Sequence, residues 1–99
     1  MRFIVNIKQG PHGKMVIVTD KNILGKKFEE GKLQLDFTQK FYQGEEKDYA
    51  ETKEIMLMAQ HLHLSGEDSV ALGLDLKFVD QKKILRIKNI PHAEVVLDS

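Results

Sequence analysis

Three imidazoles form the protein ligand set of one kind of catalytic zinc site, and His61-Leu62-His63 with His92 offers that number. The pair lies in a stretch with helical periodicity, where side chains two residues apart diverge by about 200° at 3.6 residues per turn. Joint ligation would then require the helix to end between His61 and His63. No HExxH motif accompanies them, and histidines at a fraying helix end are the commoner arrangement. The sequence therefore assigns no metal site, cofactor or catalytic residue.

His92 and Glu94 stand one step apart in the period of two of a strand, which puts an imidazole beside a carboxylate on one face. Such a pair can act as acid and base near neutral pH, and it defines one alternative function, a small enzyme. The other Pro-His pair, Pro11-His12, fits a turn, Gly10-Pro11-His12-Gly13, with proline at its second position and glycine at its fourth. His12 needs no further role on that reading. A phosphate-binding loop fails at Asp20, where glycine is required, and at Lys27, where Ser or Thr should bind magnesium. Ser65 lacks the preceding glycine of a nucleophile elbow.

The chain has 99 residues, 41% of them hydrophobic, which suits a single domain over residues 1–99 with one core. The absence of cysteine excludes disulfides, thiolate metal sites and thiol catalysis. The apolar start, Met1-Arg2-Phe3-Ile4-Val5, is interrupted by Asn6 and Lys8, so no signal peptide or membrane span is expected and the compartment is read as cytoplasmic. Net charge is zero, yet residues 1–27 carry six basic side chains against one acidic and residues 28–75 carry four against eleven. Residues 76–99 return to five against three. If both positive ends join one sheet, they give it a basic face or edge.

The elements that must position these groups follow from periodicity. Phe3, Val5 and Ile7 alternate with polar neighbours, and Met15-Val16-Ile17-Val18-Thr19 is a β-branched run, which predicts a hairpin whose second strand is covered on both faces. Asp20 to Gly31 reads as a connector, with Lys26 and Lys27 pointing outward, and Leu33, Leu35 and Phe37 as a third strand. Glu45, Glu46 and Asp48 crowd the start of a helix over Asp48–His61, with Ile55, Met58, Ala59 and Leu62 on its buried stripe. Ser65 caps a second helix running through Leu76, in which Gly73 is an anomaly. Residues 84–88 and 92–97 are the last two strands, with His92, Glu94, Val96 and Asp98 on one face. The expected fold is α+β, a mainly antiparallel sheet of about five strands with two helices packed on one face.

Leu24-Gly25-Lys26-Lys27-Phe28 through Leu35, Phe41-Tyr42-Gln43-Gly44 and Ile90-Pro91-His92-Ala93-Glu94 together resemble a family of small archaeal proteins catalogued as domain of unknown function 424. The match runs over most of the chain from residue 24 onward, with His63, Asp68 and Glu94 as departures from its usual residues. The resemblance implies a cytoplasmic archaeal housekeeping protein, and RNA binding is suggested for the family. The expected function is accordingly a non-catalytic RNA- or ribosome-associated module. Lys26, Lys27, Lys82, Lys83, Arg86 and Lys88 would contact phosphates, and Phe41, Tyr42 or His92 would offer a flat surface for stacking. A second alternative is a protein-interaction adaptor that presents the acidic middle, Gly44 to Glu54, to a basic partner.

Overall fold

A computed structural model describes residues 2–97. The hairpin forms as expected: β1 (Phe3–Gly10) pairs antiparallel with β2 (Gly13–Asp20), and Gly10 faces Gly13 across the turn. Residues 27–36 are not a turn and a sheet strand but a separate two-stranded ribbon, β3 (Lys27–Glu30) against β4 (Leu33–Asp36). A short edge strand, β5 (Glu45–Lys47), pairs with β1 just before helix α1 (Tyr49–Met56). Next come β6 (His61–Ser65), α2 (Glu67–Asp75), β7 (Leu85–Ile87) and β8 (Ile90–Val96).

The main sheet therefore has six strands, in the order β5-β1-β2-β6-β8-β7, and is mixed. β2 and β6 run parallel, because the ribbon, β5 and α1 intervene between them and return the chain to the same end. The α+β class holds and most pairs are antiparallel, as expected, but the sheet has six strands rather than about five and includes the parallel β2–β6 pair. Two strands were hidden: β5 in a run of charges, and β6 in what reads as the tail of a helix.

Helix α1 begins as its carboxylates dictate. Asp48 accepts from the Glu51 N–H at 2.8 Å while Glu51 returns a bond to the Asp48 N–H, a complete capping box. It ends at Met56 rather than His61, so the expected stripe is half right: Met56 and Ala59 are buried, whereas Met58 is 60% exposed. The chain turns because β2 captures it. The Gln60 N–H donates to Lys14 O and the Gln60 side chain accepts from the Lys14 N–H, which starts β6 alongside β2.

Phe3, Val5, Val16, Val18, Leu62, Leu64 and Ala93 share one face of the sheet, and both helices bury against it through Met56, Val70 and Leu72, joined by Ala59 from the turn after α1. Helix α2 is not capped by Ser65. Its N-cap is Gly66, at φ 105°, and the cap comes from Asp20 at the end of β2, whose carboxylate accepts from the N–H groups of Asp68 and Ser69 and the Ser69 hydroxyl at 2.7–2.9 Å. A Cβ at Gly66 would lie 2.3 Å from Asp20 Cγ. The opposite face carries a smaller core, Ile23, Leu35, Phe37 and Ile87, with the ribbon and Tyr42 packed over it. As expected, β2 is covered on both faces: Val16, Ile17 and Val18 are all buried. Among the described residues, no helix is long and apolar enough to cross a membrane. Asp98, assigned to the face of His92, lies outside the described residues.

Candidate functional site

Because residues 61–65 are a strand, the period of two that separates His61 from His63 on a helix unites them here. His61, His63 and Ser65 point to the face opposite the helices, and the antiparallel register of β6 with β8 sets Glu94 across from His63 and His92 across from Ser65. The alternation His-Leu-His-Leu-Ser was the legible signal of this strand, and the helical stripe running into Leu62 obscured it.

The contacts are close. Glu94 Oε1 lies 3.1 Å from His61 Nε2 and 3.7 Å from His63 Nε2, and one ligand atom from each of the three residues falls within 4.8 Å of the others. The His61 and His63 ring centres are 4.6 Å apart. Ser65 Oγ sits 2.8 Å from His92 Nδ1 and so fixes that ring, whose centre is 6.4 Å from that of His63. His12, in the β1–β2 turn, places its ring edge-on to His61 at 5.7 Å. All four histidines of the chain are thus linked in one row, and both Pro-His pairs belong to it.

Burial grades across the row. His61 and His63 are largely enclosed, whereas Glu94 is more than half exposed and opens the cluster to solvent. Burial holds the imidazoles of His63 and His92 below the usual histidine range, against the opposing pull of Glu94, and the neighbouring histidines push His63 the same way as burial. Both are therefore neutral at neutral pH, the form that ligates a metal. The Lys40–Tyr42 turn roofs one side. Phe41 stands edge-on to His63 at 5.0 Å, and its carbonyl accepts from the Asn6 side-chain N–H at 3.0 Å. Lys8 Nζ lies over the Phe41 ring at 5.4 Å. Tyr42 packs between Phe37 and Phe41, and burial, with the charges of Asp36 and Glu94, raises its hydroxyl above the usual tyrosine range.

Of the residues singled out from sequence, His92, Phe41 and Tyr42 come together at this face, and Glu94 with them. Phe41 and Tyr42 are packed against other rings rather than presented flat. Lys26, Lys27, Lys82, Lys83, Arg86 and Lys88 lie elsewhere, on the exposed ribbon and the segment through β7. There Lys27 pairs with Glu29, Arg86 pairs with Glu67, and the Lys88 N–H donates to Glu30. The acidic middle is divided between β5 and α1, and within it Glu46 is engaged by Arg2 and Lys21 at 2.7 and 2.8 Å. Sequence reasoning weighed His61 and His63 only alongside His92, and it missed both as partners of Glu94 and missed His12 as a neighbour of His61.

A family model described as "Protein of unknown function (DUF424)" matches residues 7–97. No curated protein matches the sequence. Among solved structures, the "Crystal structure of an uncharacterized conserved protein from Methanopyrus kandleri" superposes with a TM-score of 0.79 at 15% identity, over 100% of this chain and 96% of that one. At that identity the likeness is one of fold.

Proposed function

We propose that this chain, which belongs to the DUF424 family of proteins of unknown function, binds one divalent transition-metal ion through His61, His63 and Glu94. The convergence of their three ligand atoms within 4.8 Å carries the reading. At metal–ligand bonds of 2.0–2.1 Å, two ligands of a tetrahedral ion stand about 3.3 Å apart, and the two carboxylate–imidazole separations, 3.1 and 3.7 Å, bracket that spacing. Two nitrogens and one oxygen with no thiolate suit zinc, cobalt or nickel better than magnesium or calcium, which prefer oxygen shells. Strands on both sides hold the donors, so little side-chain entropy is lost on binding, and the His63 imidazole, held neutral by burial, need not shed a proton. A three-residue set leaves one tetrahedral position for a further ligand.

The test is calorimetric titration of the chelator-treated protein with zinc, alongside His61→Ala. Binding of one equivalent that the variant lacks supports the site. No heat and no retained metal in the native chain would refute it, and the cluster would then be a His61–Glu94 hydrogen bond with His63 packed beside it.

A second reading keeps RNA as a ligand at a different surface. It is supported by the packing of β3 against β7, which gathers Lys27, Arg86 and Lys88 from distant parts of the sequence. Phosphate contacts there would make binding fall with salt. Changing Lys82, Lys83 and Arg86 together to Glu should abolish RNA retention at low salt, and unchanged retention would end this reading.

A further inference from the structure

We propose that the open position of the ion takes a small carboxylate ligand, and that His92 recognises it by donating its Nε2–H to the bound carboxylate. This rests on the metal-binding reading above. Ser65 is fully buried, and its Oγ lies 2.8 Å from His92 Nδ1. Among the described residues no other acceptor meets that hydroxyl, so it donates to Nδ1. A neutral imidazole whose Nδ1 accepts carries its proton on Nε2. The sealed side-chain polar atoms without a partner are Thr19 Oγ1 and His61 Nδ1. His92 Nε2 also lacks a protein partner but is not sealed, so its N–H is free to meet a ligand that enters from solvent.

Distance puts His92 one atom beyond the ligands themselves. Two imidazoles on one tetrahedral ion bring their ring centres to about 5 Å, and His61 and His63 stand at 4.6 Å. A ring that reaches the ion through one intervening oxygen has its centre about 6–7 Å from that of a coordinating imidazole, given a metal–oxygen bond of about 2.0–2.2 Å and a hydrogen bond of about 2.8 Å. His92 stands at 6.4 Å from His63, and it is not one of the three residues whose ligand atoms converge. The register of β8 accounts for the offset, since His92 lies one step of the strand's period from Glu94 on the same face. Charge selects the ligand. Ligating imidazoles are neutral, so a divalent ion held by Glu94 keeps one net positive charge, which a carboxylate cancels. The Nε2–H also makes a stronger bond to a charged oxygen than to a neutral one.

The experiment loads the full chain with cobalt(II) and titrates it with acetate, following visible absorption in the native protein and in His92→Ala, with circular dichroism to verify folding. The expected result is one acetate per bound cobalt in the native protein. In His92→Ala the acetate affinity should fall about tenfold or more, the scale of a hydrogen bond to a charged group, while cobalt is still bound. Nitrogen-15 NMR of the zinc-loaded native protein reads the His92 ring without any variant: Nε2 should carry the proton, and acetate should move its resonance. Equal acetate affinity in native protein and His92→Ala, or a protonated Nε2 that acetate does not move, overturns the inference while the three-residue site stands. So does a native cobalt band that acetate leaves unchanged. An unprotonated, metal-bound Nε2 would make His92 a fourth ligand and overturn it too. If native protein binds neither cobalt nor zinc, both this inference and the reading it rests on fall.

Discussion

Glu94 stands directly across from His63 in the β6–β8 register, yet its Oε1 lies closer to His61, at 3.1 Å against 3.7 Å. The carboxylate leans along the strand and bridges two imidazoles that share one face of β6. Its exposure means that changing it should alter the site's chemistry more than the fold.

The histidine face should make the metal-free protein sensitive to mild acid. Burial depresses His63 and His92 in the folded state, so the unfolded chain binds protons more readily than the folded one. Their contribution to stability is present above the ordinary value of 6.5 and is lost as pH falls through the depressed folded values. Asp20 shifts the other way, being raised chiefly by burial. Protonation of the folded form therefore favours the native state at lower pH and does not account for a loss near pH 6. Thermal unfolding of the apo protein from pH 7.5 to 5 should show a declining midpoint, and His92→Gln should flatten the decline. An equally steep fall in the variant would remove His92 from the account.

Asp20 should be a stability determinant out of proportion to its type. It lies in β2, 48 residues before Asp68, yet makes the three bonds that begin α2. Asp20→Ala leaves the N–H groups of a Gly-capped helix without acceptors inside the protein, and the expected loss is about 1–3 kcal/mol. Chemical denaturation measures it. A loss below about 0.5 kcal/mol, the scale of ordinary surface substitutions, would show that water caps the helix equally well.

Gly73→Ala should destabilise, against the usual direction. In an exposed helix interior, alanine in place of glycine gains about 1 kcal/mol. Here a Cβ would meet Leu64 Cδ1 at 2.5 Å and Val79 Cγ2 at 2.7 Å, both on buried side chains, and overpacking of that kind costs about 1–3 kcal/mol. The packing cost exceeds the propensity gain. A variant more stable than the native chain would show that α2 can slide away from β6.

What the sequence disclosed and what it hid divide along the range of the interactions. The β1–β2 hairpin, the carboxylate-rich start of α1 and the common face of His92 and Glu94 all follow from residues within a few positions of one another, and each is present. The end of α1 does not. It is set by Lys14, which bonds Gln60 from 46 residues away, and until that bond is known the apolar spacing from Ile55 to Leu62 runs on as a helix. The cost fell on the site itself, since helical geometry separates His61 from His63 and a strand joins them. The Asp20 cap was invisible for the same reason, as Ser65 offered a local cap that β6 instead turned toward His92. The glycine in α2 was visible as an anomaly, and only its packing against Leu64 and Val79 explains it.

Metal should stabilise the native fold through the histidine face and through nothing else. An ion bound only by the folded chain adds about 2.7 kcal/mol at a free concentration one hundred times its dissociation constant. Zinc should therefore raise the melting temperature of the native protein, and the rise should saturate with concentration as a single site fills. Glu94→Gln keeps the size and much of the hydrogen bonding of the side chain but removes its charge. Because Glu94 is exposed, the variant should fold with near-native stability in chelator while losing most of the zinc response. Adventitious binding at the other carboxylates would raise both proteins equally. A zinc response undiminished in Glu94→Gln would therefore place the ion away from His61 and His63, and a response absent from both would remove the metal altogether.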